Sequence, residues 1–438
     1  MEGMVRFRSG LVTLSILVPV LAGACTSTPP TTAAETAEPA AAPPTTARHG
    51  EHAPTPATAP ATLSPTELRA RFSQHLGEHT LLAVRVTRSM VTAAPELRRV
   101  ATAALQRNTD ELTRTVASAF GGAQAGRFKQ VWQRHVTDLE SYATGVAGDD
   151  EAARQAARSA LMADADAYGA WMAAASAGRL AAGDATADVR AHVERLMRQV
   201  DAYAARDYRQ AYRVEREAYE HMFTTGTTMA RASVTPRLAA GLDAPTAKLR
   251  SAFAMLLGEH MQLIVDAQRA AFAESEEFTA AAAQVNANSS ALTRAMGAIL
   301  GPERATDFQH GWADHVEGLM AYTAAVVGGD AAGRAAARRK LGEYAGNLAR
   351  YFDMVLPKQV NVVAFTGAIT THDAHLAAHV DAYAARNYGE AVRRELEGYR
   401  HMLGLSDTAV DAIQGSMRSG MPVGGSQTGG GGTARPAR

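Results

Sequence analysis

The sequence predicts an all-α protein, organised as two tandem homologous helical-bundle domains behind a disordered tether. Three observations predict it. From about residue 64 onward the chain is dominated by Ala, Leu, Arg, Glu and Met, which have strong helix propensity, and runs of β-branched residues are scarce. Phe128, Trp132, His135, Leu139 and Tyr142 follow one another at steps of four, three, four and three, which places all five on one helical face. The octapeptide DAYAARDY (Asp201 to Tyr208) returns as DAYAARNY (Asp381 to Tyr388), and sliding the chain by 180 positions aligns far more than that phrase.

Taken in order, residues 1–24 read as an export signal: Arg6 and Arg8, the apolar run LVTLSILVPV, then small residues. The segment Leu21-Ala22-Gly23-Ala24-Cys25 resembles the lipobox of bacterial lipoproteins, although Ala22 stands where that family usually has a large aliphatic residue and Leu21 lies one place further away. The resemblance implies a lipid on Cys25 and an exported, extracytoplasmic chain anchored to the membrane through it; plain secretion is the alternative. An uncleaved anchor is disfavoured, because the apolar run is short of the roughly 20 residues that a spanning helix needs. Cys25 is the only cysteine, so a lipidated chain has no thiol for a disulfide, a thiolate metal ligand or a nucleophile.

Residues 25–63 are Thr, Pro and Ala with almost no large apolar side chains, a composition that cannot bury enough surface to order itself. The first bundle is expected over 64–235, with Ser64 as N-cap and Pro65 in the first helical position. Its breaks fall at Gly121-Gly122, at Gly148 to Asp150 and around Gly178 to Gly183. The connector SVTPRLAAGLDAP, from Ser233 to Pro245, leads into a second bundle over 243–415, with breaks at Gly301-Pro302, Gly328 to Asp330 and Pro357. Five or six helices are expected in each bundle, and each, having a full set of amphipathic helices, is expected to fold alone. Residues 416–438 read as a Gly-rich disordered tail.

Lysine and arginine balance the acids at 44 each, so no basic footprint points to nucleic acid. There is no glycine-rich phosphate loop, no GxSxG elbow and no HExxH helix. What the two copies share is histidine. His79 and His260 stand in matching LGEH segments after a single-residue slip, and His135 pairs with His315, His192 with His372, and His221 with His401. Each copy thus keeps one histidine on each of four helices, which is how a bundle interior builds a metal site. A core histidine satisfied by a neighbour such as Asn108 is the alternative for any single one of them. Four buried imidazoles gathered together each need a polar partner, and a metal ion satisfies them at once.

Glu217 and Glu397, four residues before His221 and His401, are candidates for a ligand or an acceptor that orients an imidazole, and Asn108 and Asn288 for the latter role. The second copy also carries His375 and His379 on the helix of His372, where the first has Arg195 and Gln199; these are candidate extra ligands. The tyrosines Tyr142, Tyr203, Tyr208 and Tyr219 and their twins read as packing anchors with a hydroxyl at the rim. Imidazole-rich, thiolate-free ligation suits zinc or copper best.

The order LxEH, Asn, F-x-x-x-W-x-x-H with a Tyr seven on, then Tyr-x-His-Met, resembles a helical repeat of secreted actinobacterial and bacillar proteins often labelled copper amine oxidase-like. The resemblance implies no amine oxidase activity, since no motif for a tyrosine-derived quinone is evident. The leading function is a cell-envelope lipoprotein that binds copper or zinc through histidines in each bundle, for capture, buffering or delivery. The alternatives are a structural or interaction module without metal, and non-covalent haem binding through paired axial histidines. A three- or four-histidine site with an open position also leaves an enzyme in play. No protein partner or substrate is named by the sequence.

Overall fold

Helix-forming composition and well-chosen caps yield helices throughout the computed structural model, which describes residues 63–273 and 275–419. The expected signal peptide, Cys25, nearly all of the tether and most of the tail lie outside the described residues. The first half comprises α1 (Pro65–Val91), α2 (Pro95–Phe120), α3 (Gly122–Ala147), α4 (Glu151–Ala175), α5 (Ala182–Ala204) and α6 (Tyr208–Ser233). A four-residue helix α7 (Pro236–Ala239) and a 3₁₀ turn (Ala240–Asp243) form the connector. The second half comprises α8 (Pro245–Ala270), α9 (Ser275–Leu300), α10 (Pro302–Val327), α11 (Ala331–Val355), α12 (Val362–Ala384) and α13 (Tyr388–Arg418), the last running three residues past the expected boundary.

Local chemistry explains the ends. Ser64 and Glu67 close a capping box at the start of α1, and Asp150, Asp207, Asp330, Asn361 and Asn387 cap α4, α6, α11, α12 and α13 with their side chains. The repeated octapeptide is one such junction. Arg206 and Arg386 turn left-handed at φ 59° and 57°, the Asp207 and Asn387 amides donate back to the Ala202 and Ala382 carbonyls, and the next helix starts at once. Within it, Asp201 and Asp381 accept hydrogen bonds from Tyr142 and Tyr322 at 2.9 and 2.8 Å, so the phrase is written twice for a helix turn and its brace.

In each half one helix is central. From Leu76 to Ser89, α1 is buried on every face, as is α8 from Leu256 to Ala270. Around α1 pack α2, α3, α5 and α6, and around α8 pack α9, α10, α12 and α13. The triplets α1, α3, α5 and α8, α10, α12 meet one another pairwise, which makes the middle of each half a three-helix junction.

The halves share a buried face, and its contacts are reciprocal: α6 packs on α9 and α8, and α13 on α2 and α1. All described residues belong to one compact unit. At the centre of the shared face the Tyr219 hydroxyl donates to that of Tyr399, 3.2 Å away. The glycine of each LGEH segment is required here, since a Cβ on Gly77 would overlap the Tyr399 hydroxyl and one on Gly258 that of Tyr219. These two tyrosines therefore sit fully buried between the halves, not at a rim.

Beside them lies a buried ionic network of three arginines and three acids. Arg85 donates to Asp266 at 2.9 Å and to Glu395 at 2.6 Å, Arg88 to Glu215, and Arg269 to Glu395 at 2.5 Å. Burial works against the charge on Arg85, but Glu395 and Asp266 outweigh it and hold the guanidinium protonated. Arg88 and Arg269, like Glu215 and Glu395, occupy corresponding positions. Arg85 and Asp266 also correspond, yet carry opposite charge, and this one difference balances the network.

Candidate metal centres

Three buried histidines meet at each three-helix junction. His79 from α1, His135 from α3 and His192 from α5 have ring centroids 5.5, 5.7 and 5.6 Å apart. His260 from α8, His315 from α10 and His372 from α12 repeat the triangle at 5.6, 5.5 and 5.5 Å. In each triad one ring nitrogen per residue lies within 4.8 Å of the others. Tetrahedral ligation at metal–nitrogen distances of about 2.0–2.1 Å requires nitrogens about 3.4 Å apart, so each triad would draw together around an ion. The aromatic stripe walls the site: Trp132 and Trp312 lie 4.7 and 4.6 Å from the rings of His79 and His260, backed by Phe128 and Phe308.

The rings are neutral. Burial pushes His135 down to about 4 and His260 to about 3, and it lowers His79, His192, His315 and His372 well below the ordinary imidazole value, with neighbouring imidazoles adding to the effect. Neutral imidazole is the form that coordinates. Both ring nitrogens of His79, His135, His192, His260 and His372, and Nδ1 of His315, are buried without a hydrogen-bond partner among the described residues. Such groups cost on the order of 1–3 kcal/mol each when left unsatisfied. The donor set, neutral imidazole only, fits zinc or copper.

A carboxylate accompanies one histidine of the second triad. Asp373 Oδ1 lies 3.5 Å from His315 Nδ1, and Asp373 is buried. Burial raises the Asp373 carboxyl well above its usual range while it lowers His315, so the two form a neutral pair in the metal-free protein. The ring of His315 also stacks on Tyr344, with centroids 4.5 Å apart. A small cavity of about 40 Å³, lined mostly by apolar side chains, touches His315 and His372 between Phe253, Phe308 and Met402. It leaves room beside the triad for a small fourth ligand.

Other expected site residues lie elsewhere. His221 and His401, on α6 and α13, are not brought to the triads: their Nε2 atoms bond the Asp188 and Ala368 carbonyls at 2.9 and 2.8 Å, turned onto the backbone of the neighbouring helix. Glu217 and Glu397 sit on solvent-facing stretches, Glu217 within 3.9 Å of Arg198 and Arg213, Glu397 paired with Arg393 at 2.7 Å. Asn108 and Asn288 donate to the carbonyls of His75 and Leu256, both at 3.0 Å, and so brace α1 and α8 instead of the imidazoles. His375 lies near His401, with ring centroids 5.9 Å apart, and His379 bonds the Ala391 carbonyl through Nδ1 at 2.9 Å, so neither extends the second triad.

A third grouping, His75 with Glu78 and Glu111, was not singled out by the sequence. Arg400 from the second half already spans its two carboxylates at 2.9 and 2.7 Å, which makes it a tie between the halves. Asp373 and Tyr344 were also missed. Asp373 directly follows His372, but nothing in spacing alone aims it at His315. Among the described residues no helix is long and apolar enough to cross a membrane. No family model matches the chain, and no curated protein or solved structure is similar to it at a significant level.

Proposed function

We propose that this chain binds two ions of copper or zinc, one at His79, His135 and His192 and one at His260, His315 and His372, as an exported lipoprotein that captures, buffers or delivers metal at the cell envelope. The observation that carries the reading is the set of buried, neutral imidazole nitrogens with no protein partner, gathered twice at the same point of two similar helical arrangements. Core histidines kept only for packing have no reason to face one another in threes. The matched helices, matched triads and reciprocal interface further support descent of the halves from one duplicated unit.

The lipid anchor is proposed from the segment ending at Cys25. Cys25→Ala is expected to move the protein out of the membrane fraction and to abolish a lipid mass shift. Haem is the weaker reading, since a porphyrin needs a broad slot between two axial imidazoles, whereas the three rings stand close together against a tryptophan. The structural reading without metal leaves the triads unexplained.

The test is elemental analysis and a visible spectrum of the full chain purified without a histidine tag, before and after loading with Zn(II) or Cu(II). About two equivalents per chain are expected, falling to about one in His260→Ala/His372→Ala. Protein that takes up no metal overturns the proposal, and a Soret band would turn it to haem.

A further inference from the structure

The α10 histidine of the second half has a buried acid at its side, whereas among the described residues no acid pairs with the α3 histidine of the first half. In the second half the acid is Asp373 on α12, and the α11 position facing His315 is Tyr344. At the corresponding places of the first half stand Val193 on α5 and Asp164 on α4, both buried. Asp164 makes neither an ion pair nor a hydrogen bond with His135 and acts on it only as a more distant charge.

A buried acid is rare and needs a reason. The other buried acids of the described residues have partners: Glu78, Glu215, Glu259, Asp266 and Glu395 pair with arginine, and Glu277 accepts from Tyr203 and Tyr212. Asp373 has no hydrogen bond to either oxygen, and Asp164 has none to Oδ2, its Oδ1 accepting from Arg134 at 3.1 Å. Asp373 also lies outside the group of ligand atoms that come within 4.8 Å of one another in the second triad. It meets the site at His315.

We infer that the second metal site uses one carboxylate, Asp373 from α12, behind its α10 histidine, and that the first site, with Val193 in the corresponding place, has no carboxylate so positioned. This deepens, and rests on, the proposal that the triads bind metal. Such a carboxylate accepts the N–H of a ligating imidazole, fixes its orientation and tautomer, and balances the charge of the ion. Because Asp373 stands beside His315 and pairs with no arginine, while Asp164 is paired with Arg134 and not with His135, the second site holds a divalent ion more tightly than the first.

The experiment uses the full chain with the first triad disabled by His79→Gln/His192→Gln, and reads Co(II) by its visible ligand-field bands and Zn(II) by competition with a chromophoric chelator. If this parent binds neither ion at the second triad, the metal proposal fails and takes the inference with it. Given binding, Asp373→Val, the first half's residue, should weaken it about 10- to 100-fold and shift the Co(II) bands. Asp373→Asn, nearly the same shape without the charge, should do likewise in a protein that keeps its helical spectrum. Unchanged binding in both single variants overturns the inference.

Discussion

Acidification of the metal-free protein should unfold it over a narrow range, and the magnitude follows from the triads. Each of the six imidazoles is neutral when folded and titrates near 6.5 when the chain is unfolded. Below about 6.5 the unfolded chain takes up protons that the folded chain refuses, so stability falls as pH falls, and continues to fall until the folded values are reached, about 4 for His135 and about 3 for His260. Between pH 7 and 5 each such histidine removes about 2 kcal/mol, and the six together about 12 kcal/mol. Asp373 runs the other way: its raised carboxyl is protonated when folded and ionised when unfolded, which returns up to about 3 kcal/mol over the same range. The loss from these seven groups alone, about 9 kcal/mol, is comparable to the whole stability of an ordinary domain, about 5–15 kcal/mol. Urea titrations of chelator-treated protein, followed by far-UV circular dichroism at pH 7, 6 and 5, should show a lower midpoint at pH 6 and a largely unfolded chain near pH 5. Saturating Zn(II), at about 100 times its dissociation constant, should add about 2.7 kcal/mol per site at pH 7 and move the acid transition down. A midpoint in the metal-free protein that is flat from pH 7 to 5 would refute the buried neutral triads.

Three further outcomes test the rest of the structure. Arg85→Met leaves Asp266 and Glu395 short of a cation in a buried network and should cost about 3–5 kcal/mol by chemical denaturation, whereas Arg85→Met/Asp266→Leu removes one charge of each sign and should recover most of it. Gly77→Ala forces a methyl against the Tyr399 hydroxyl and should lose about 1–3 kcal/mol, with Gly258→Ala behaving alike; a neutral result would mean that the halves do not meet as described. His221→Ala and His401→Ala should leave metal content by elemental analysis at two equivalents, because both rings are spent on backbone carbonyls, and a drop to one in either would return that residue to the site.

The interface bears on the expectation that each half folds alone. The sequence shows a full set of helices in each, but in an isolated first half Tyr219 and Arg85 would lose the partners that Tyr399, Asp266 and Glu395 supply. Expression of residues 62–235 and 240–420 separately and together reports whether that loss is tolerated: two soluble, cooperatively unfolding halves would support independence, and halves that become soluble only on mixing would make the shared face part of one core.

By itself the sequence determined the all-α class, the helix start where Ser64 caps, and the internal repetition; it also narrowed the candidate chemistry to matched histidines on four helices per half. It could not separate His192, which belongs to a triad, from His221, which does not, since both are retained in the second copy and both lie on amphipathic helices. Periodicity sets the angle of a side chain about its own helix axis, but not the angle at which that helix meets its neighbours. That second angle is set by packing, which turns α1, α3 and α5 inward with their histidines and leaves the ring of His221 against the Asp188 carbonyl. The same limit hid the reason for the glycine in LGEH, whose neighbour is a tyrosine from the other half, and the pairing of Arg85 with Asp266 across 181 positions. Contacts between distant residues depend on the free energy of the assembled core, in which every helix constrains the orientation of the others, and only the tertiary structure decides them.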